Sequence, residues 1–158
     1  MILYHGTNVH FDEIDLSKSN TNKDFGKGFY LSSTKEQAKE MAAFKVSFLG
    51  GETVINEYDV PDNLLQCKDL NIKIFEGYSE EWAKFVFKNR DNSTDDSCHN
   101  YDIVYGPIAN DRVGVQIRKF QNGLLTFEEF LNNIRYMKGI TFQYFFGTER
   151  AIKKLKRL

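Results

Sequence analysis

The chain is poor in the residues that interrupt or cross-link a fold. Its 158 residues include two prolines and two cysteines, Cys67 and Cys98, which are far apart and lack a Cys-x-x-Cys spacing. This usage disfavours a disulfide framework and the common cysteine metal motifs, so we expect free thiols in a reducing cytoplasm and no metal site. A net charge of -1 argues against a protein that is basic throughout and binds nucleic acid over its whole surface.

Long apolar runs are also missing. No stretch approaches about 18 uncharged apolar residues, and Met1 to Tyr4 leads into His5 without the features of a signal peptide. We therefore expect neither secretion nor membrane association. Aromatic residues, by contrast, are plentiful, with 14 phenylalanines and eight tyrosines available for a core. A chain of this length can bury such a core without cross-links, so we treat residues 1–158 as one domain.

Short apolar segments bounded by glycine, proline or polar residues predict strands. The predicted strands are Ile2–Gly6, Gly28–Ser33, Glu52–Val60, Tyr101–Tyr105 and Ile140–Phe146. We expect a brief turn or strand at Phe11–Leu16, a polar loop at Ser17–Asp24 and a continuation of the sheet at Asn63–Asp69.

Capping residues predict the helices between these strands. The predicted helix starts are Thr34 with Gln37, Ser79, Thr126, and Thr148; the first helix runs to about Phe48. Asn110 or Asp111 is expected to cap a further helix through Lys119. The terminal helix would carry the basic residues Arg150, Lys153, Lys154, Lys156 and Arg157. The segment Asp91–Asn100 is predicted to be an exposed loop in which Cys98 and His99 are incidental, and the mixed order of elements favours an α+β fold.

Two motifs near the start of the chain carry polar groups on strands. They are Leu3-Tyr4-His5-Gly6-Thr7 and Asp24-Phe25-Gly26-Lys27-Gly28-Phe29-Tyr30. Alternation along a strand places His5 on a face of the first strand, Tyr30 with Ser32 on a face of the second, and Gln143 on a face of the last. We expect these groups to converge in one cleft, with the glycines allowing a ligand to approach the backbone. The Gly26-Lys27-Gly28 spacing fits neither GxGxxG nor a P-loop.

Both motifs resemble segments of the diphtheria-toxin-like and poly(ADP-ribose) polymerase branch of the ADP-ribosyltransferases. The likeness lies in His5-Gly6-Thr7 and in the FGKGFY run from Phe25 to Tyr30. Gln37-Ala38, Asp102 to Asp111 and Gln143 extend the similarity to a bacterial uncharacterised family of that superfamily. The resemblance implies a single-domain split β-sheet with flanking helices, with NAD as co-substrate in the cleft.

The same resemblance implies roles for individual residues. His5 would hydrogen-bond the adenosine ribose, the Gly6 backbone would hold the nicotinamide carboxamide, and Tyr30 would stack on the nicotinamide ring. Gln143 stands where the superfamily usually has glutamate, so His5, Tyr30 and Gln143 are the implied catalytic set. The implied NAD contacts are His5, Gly6, Thr7, Phe25, Gly28, Tyr30 and Met41, with Phe44 the alternative to Met41. Asn110 and Asp111 are the implied acceptor-side groups.

An amide at position 143 supplies no negative charge, which leads us to expect mono-ADP-ribosyl transfer rather than chain elongation. The implied acceptor is a macromolecule, protein or nucleic acid, and analogy suggests a toxin of a toxin–antitoxin or phage-defence pair with an antitoxin protein as partner. Two alternatives remain open. One is a non-catalytic module that binds NAD or ADP-ribose. The other is an RNA-directed phosphotransferase or RNA-binding protein, supported only by the basic tail.

Overall fold

The strands are short runs of aromatic and branched residues, as the sequence pattern indicates. The computed structural model describes residues 1–109, 111–135, 137 and 139–158, with the backbone alone at position 111. These residues form a curled sheet in the order β4-β5-β6-β2-β1-β3-β7, in which β4 and β5 are parallel and the other pairs antiparallel. The strands are β1 Ile2–Thr7, β2 Phe29–Ser32, β3 Val54–Asp59, β4 Ile72–Ile74, β5 Ile103–Pro107, β6 Phe142–Phe146 and β7 Lys156–Arg157.

The helices begin where the capping residues predict. Within the described ranges they are α1 Lys35–Leu49, α2 Glu80–Arg90, α3 Asp111–Gln121, α4 Phe127–Arg135 and α5 Glu149–Ile152. The Thr34, Ser79 and Thr148 side chains each accept a hydrogen bond from a backbone amide three residues later. Thr126 and Glu129 form a reciprocal capping box at α4. The α+β class is thereby confirmed, with one sheet and its helices forming a single domain.

Several predicted elements are wrong, and long-range pairing explains most of them. Asn63–Asp69 does not extend the sheet; Leu64–Gln66 is a 3-10 turn, and the next strand is the unpredicted β4. The terminal helix ends at Ile152, after which Lys156–Arg157 forms β7 on the edge of β3. At Phe11–Leu16 the chain bends without forming a strand, which agrees with the first of the two alternatives predicted there. The strand predicted at Tyr101–Tyr105 lies two residues later, at Ile103–Pro107.

Two aromatic clusters fill the two faces of the sheet. Consecutive residues of β6 show the division, because Phe145 belongs to the cluster beneath α2, α3 and α4, whereas Phe146 belongs to the opposite one. Trp82 is fully buried in the first cluster, where its indole N–H donates to the Pro107 carbonyl. Helix α1 covers β1 and β3 instead. This arrangement leaves a cavity at the edge of α1.

Candidate functional site

A cavity of about 1160 Å³ opens beside β1 and β2. Its walls come from both strands, from α1, from the start of β6 and from the loop before β2. Most of the residues expected to bind NAD line it: His5, Gly6, Thr7, Gly28, Tyr30, Met41 and Gln143. Ligand-binding cavities are commonly about 300–1,000 Å³, so this one has room for a dinucleotide.

The polar groups do not share one face of the sheet as the alternation argument assumed. Tyr4 of β1 registers with Ser32 of β2, which places His5 on the face opposite Tyr30 and Ser32. Gln143 registers with Ser32 on the other side of β2 and therefore lies on the Tyr30 face. In the described chain, Tyr4–Ser32 is the one registered pair between β1 and β2. The cavity lining nevertheless includes residues of both faces, with His5 from one and Tyr30 and Gln143 from the other.

His5 is a neutral imidazole with one nitrogen engaged. Its Nδ1 lies 2.7 Å from the Tyr30 carbonyl oxygen, and because a carbonyl only accepts, Nδ1 carries the proton. The ring stacks on Phe29 at a centroid distance of 4.2 Å. Burial and the positive charges of Lys45 and Lys23 lower the pKa of His5 to about 4. Nε2 therefore keeps its lone pair and has no partner among the described residues, and His5 lines the cavity.

Tyr30 fixes the glycine turn through its hydroxyl while its ring lines the cavity. The hydroxyl donates to the Gly26 carbonyl at 2.6 Å and accepts from the Phe25 amide at 3.1 Å. Burial and the nearby Asp24 carboxylate raise the pKa of this phenol well above its usual value, so the hydroxyl stays a donor. The Lys23 ammonium lies 5.4 Å from the ring centroid, which shows that the ring face accommodates a cation.

Gln143 contacts a carboxylate that the motif analysis overlooked. Its amide nitrogen donates to Asp24 Oδ2 at 3.4 Å, and the same oxygen accepts from the Ala109 amide. The other oxygen, Oδ1, pairs with Arg90 at 2.6 Å. Since the amide nitrogen is directed at Asp24, the Gln143 oxygen is the atom left to accept from a ligand. Gln143, Asp24 and Arg90 all line the cavity.

The fold itself requires glycine at the motif positions, independently of any ligand. A Cβ at Gly6 would lie 1.8 Å from the Ala38 carbonyl oxygen, because α1 crosses β1 at that point. A Cβ at Gly28 would lie 2.2 Å from the Phe145 ring. Gly26 has a φ of 91°, which favours glycine. Gly6 is expected to hold a carboxamide through its backbone, and its carbonyl accepts from the Lys45 ammonium at 3.0 Å.

Two expectations about neighbouring residues need correction. Phe25 is fully buried in the core beneath α2 and does not line the cavity, so its side chain cannot contact a cofactor there. His99 is not incidental. Its Nε2 donates to the Phe25 carbonyl at 2.7 Å and its Nδ1 accepts from the Tyr101 amide at 3.1 Å. The histidine thus anchors the turn that carries Tyr30.

Residues 1–157 match a family described as "Protein of unknown function (DUF3990)". The chain belongs to the DUF3990 family. No curated protein matches it. Because the family description assigns no activity, the geometry of the cavity must support any functional argument for this DUF3990 domain.

Helical spacing is a signal in the sequence that would have identified Lys45 as a further cavity residue. Gln37, Met41 and Lys45 follow one another at intervals of four along α1, and all three line the cavity. Met41, the expected nicotinamide contact, is 47% exposed at the cavity wall, and Phe44 also lines it. Asp24 had a weaker signal, its position directly before the glycine motif. Arg90 had none, because only the tertiary fold brings the end of α2 to the cavity.

The two residues expected on the acceptor side, Asn110 and Asp111, lie at the edge of the described ranges. Asn110 lies outside the described residues, and for Asp111 only the start of α3 is described. In the described portion of this DUF3990 domain, no helix is long and apolar enough to cross a membrane. The same portion holds no group of three or more histidine, cysteine or acidic residues arranged to bind a metal.

Proposed function

We propose that this protein is a mono-ADP-ribosyltransferase that uses NAD, with its split β1–β2 region serving as an ADP-ribosyltransferase-like cleft. One observation carries the proposal. His5 offers an unpaired acceptor nitrogen to a cavity whose wall also presents the Tyr30 ring and the Gln143 amide oxygen. These residues match the motifs that resemble the transferase superfamily.

The acceptor atoms and the aromatic ring of the cavity fit NAD. A ribose hydroxyl is a donor, and the neutral His5 ring has a free acceptor at Nε2. The nicotinamide ring of oxidised NAD is positively charged, and the Tyr30 face already lies beneath the Lys23 ammonium. The Gly6 carbonyl is available to the carboxamide once Lys45 releases it.

NAD, when bound, supplies an ADP-ribosyl group whose bond to nicotinamide breaks as the acceptor's nucleophile bonds the same carbon and loses a proton. The Gln143 oxygen would accept a hydrogen bond from a ribose hydroxyl and thereby orient the sugar. The Asp24 carboxylate, 3.4 Å from the Gln143 nitrogen, would provide the negative charge that a glutamine lacks. A carboxylate aimed at developing positive charge lowers the barrier more than it strengthens substrate binding. Arg90 would limit this effect by pairing with the other Asp24 oxygen.

Calorimetric titration with NAD, combined with chromatography of free nicotinamide, tests the proposal. We expect wild-type protein to bind NAD and release nicotinamide. The His5→Phe variant preserves a ring against Phe29 but lacks Nε2, and we expect about tenfold weaker NAD binding, roughly 1.4 kcal/mol. Phe48→Ala is the control, since Phe48 is 73% exposed and does not line the cavity. Absence of NAD binding by folded wild-type protein would overturn the proposal.

The non-catalytic alternative has a specific observation in its favour, the amide at position 143. The same titration separates the two functions, because a binding module would bind NAD and ADP-ribose without releasing nicotinamide. The Asp24 carboxylate beside Gln143 is why we favour the enzyme.

We further propose that the acceptor is a macromolecule and that the protein is a toxin neutralised by an antitoxin protein. This part of the proposal rests on the family resemblance alone. Expression of the wild-type chain in bacteria should arrest growth. Tyr30→Ala should relieve the arrest, and the Phe48→Ala control should not. Normal growth with abundant soluble wild-type protein would contradict the toxin role without bearing on NAD binding.

The RNA-directed alternative depends on the five basic residues of the tail. Three of them have partners within the chain: Arg150 pairs with Asp102 at 2.6 Å, and Lys154 pairs with Asp69 at 3.2 Å. Arg157 donates to Asn56 and to the Asp12 carbonyl. These three cations hold the end of the chain to the fold, and we therefore favour the NAD-dependent function over an RNA-directed one.

A further inference from the structure

Two lysines of the cavity have only neutral partners among the described residues. The Lys45 ammonium donates to the Gly6 carbonyl, and the Lys23 ammonium lies over the Tyr30 ring. Four lysines elsewhere in the described chain pair with carboxylates, among them Lys35, which pairs with Glu57 at 2.7 Å. A carbonyl and an aromatic ring compensate a positive charge less well than a carboxylate does.

The acidic residues on the cavity wall form no ion pair with either lysine in the described chain. Asp24 pairs with Arg90, Asp15 accepts from Ser17, and Asp91 accepts from Gln121. Glu13 also lines the cavity, and no ion pair joins it to either lysine in the described chain. Both lysines line the same cavity, and burial followed by the charge of Lys23 lowers the pKa of Lys45 to about 8. An anion placed between them would relieve this repulsion.

We propose that Lys45 and Lys23 form an anion subsite that binds the diphosphate of a dinucleotide. The assignment to a dinucleotide rests on the proposed use of NAD, whereas the anion site rests on the two lysines. Flexible ammonium groups suit phosphate oxygens, whose positions they can follow. When Lys45 moves to the anion it leaves the Gly6 carbonyl, so diphosphate binding would also free the backbone group expected to hold the carboxamide.

Calorimetric titration with four probes tests the subsite: NAD, ADP, inorganic pyrophosphate and adenosine. We expect ADP to bind at least tenfold more tightly than adenosine, which has the base and ribose but no phosphate. Lys45→Met and Lys23→Met preserve the apolar stem and remove the charge. Each should weaken binding of ADP, pyrophosphate and NAD about tenfold.

Lys39→Met is the matched control, because Lys39 is exposed on the same helix and lies outside the cavity lining. It loses the same charge and should bind each probe within about twofold of wild type. Lys45→Arg restores the charge and should recover most of the affinity lost in Lys45→Met. Melting curves without ligand verify that each variant is folded.

The outcomes separate the two proposals. Equal NAD binding by wild type and both lysine variants would overturn the subsite and leave the proposed function standing. Lysine-dependent binding of ADP and pyrophosphate without NAD binding would support the subsite and overturn the proposed function. If neither ADP nor pyrophosphate binds to folded wild-type protein, the subsite is wrong.

Discussion

The surroundings of two histidines differ: one imidazole keeps a free acceptor nitrogen at the cavity, and the other has both nitrogens engaged within the fold. His5, at the cavity, uses Nδ1 on the Tyr30 carbonyl and leaves Nε2 open. His99, in the aromatic region beneath α2, uses both nitrogens and contacts the rings of Phe85, Tyr101 and Phe145. An imidazole with a spare acceptor can bind a ligand, whereas one with both nitrogens satisfied can only stabilise the fold.

The contrast extends to the regions around the two histidines. Residues of the cavity wall retain hydrogen-bonding capacity toward the interior, as the Gln143 oxygen does. In the aromatic region, the polar groups beside His99 are satisfied internally: Asn89 is fully buried, donates to the Phe85 carbonyl and accepts from Cys98. Substitutions in the cavity wall should therefore affect binding and rate, and substitutions in the aromatic region should affect stability.

The largest expected effect is at Gln143. Gln143→Ala should slow nicotinamide release about a hundredfold, roughly 2.7 kcal/mol, because the oriented amide oxygen is lost in the transition state. NAD affinity should change less than the rate. Gln143→Glu supplies a carboxylate and should preserve or raise the rate of release. Single-turnover kinetics with saturating NAD measure these rates, and full activity of a folded Gln143→Ala variant would remove Gln143 from the catalytic set.

Next in size is the stability effect at His99. His99→Ala removes the ring from its aromatic contacts and leaves the Phe25 carbonyl and Tyr101 amide unpaired, so we expect a loss of about 2 kcal/mol in unfolding free energy. His10→Ala is the control, because the His10 side chain is 74% exposed and should cost less than about 0.5 kcal/mol. Urea denaturation measures both. Equal losses for the two variants would mean that His99 does not anchor the turn.

The smallest effect is the dependence of stability on pH. The pKa of His5 is about 4 in the folded chain against 6.5 for a free histidine, so the unfolded state takes up the proton first as pH falls. Stability should therefore decline as pH drops below 6.5, and protonation of His5 in the unfolded state should account for a loss of roughly 1.4 kcal/mol by pH about 5.5. Burial also lowers the pKa of His99, which adds a decline of the same sign.

The His5→Phe variant isolates the His5 contribution, because it cannot titrate and still stacks on Phe29. Urea denaturation across this pH range should show a shallower decline for the variant than for wild type. Parallel profiles would mean that His5 is not protected from protonation in the folded state.

The sequence predicted which residues belong to the candidate site better than it predicted how they are arranged. Alternation and the motifs identified His5, Tyr30 and Gln143, which do line one cavity. The same alternation placed them on a shared face, but the Tyr4–Ser32 register puts His5 on the other side of the sheet. The register between two strands depends on their pairing, which periodicity within each strand does not reveal.

The sequence by itself determined the features that depend on residues near one another in the chain. Thr34, Ser79, Thr126 and Thr148 begin helices because each reaches an amide three residues away. The turn at Gly26 likewise depends on local backbone freedom. Only the tertiary structure decided that Lys156–Arg157 would form a strand on β3, that His99 would anchor the Phe25 turn, and that Asp24 would lie beside Gln143. Those contacts join residues about 75 to 120 positions apart, and their formation depends on how the whole chain packs, which no local pattern encodes.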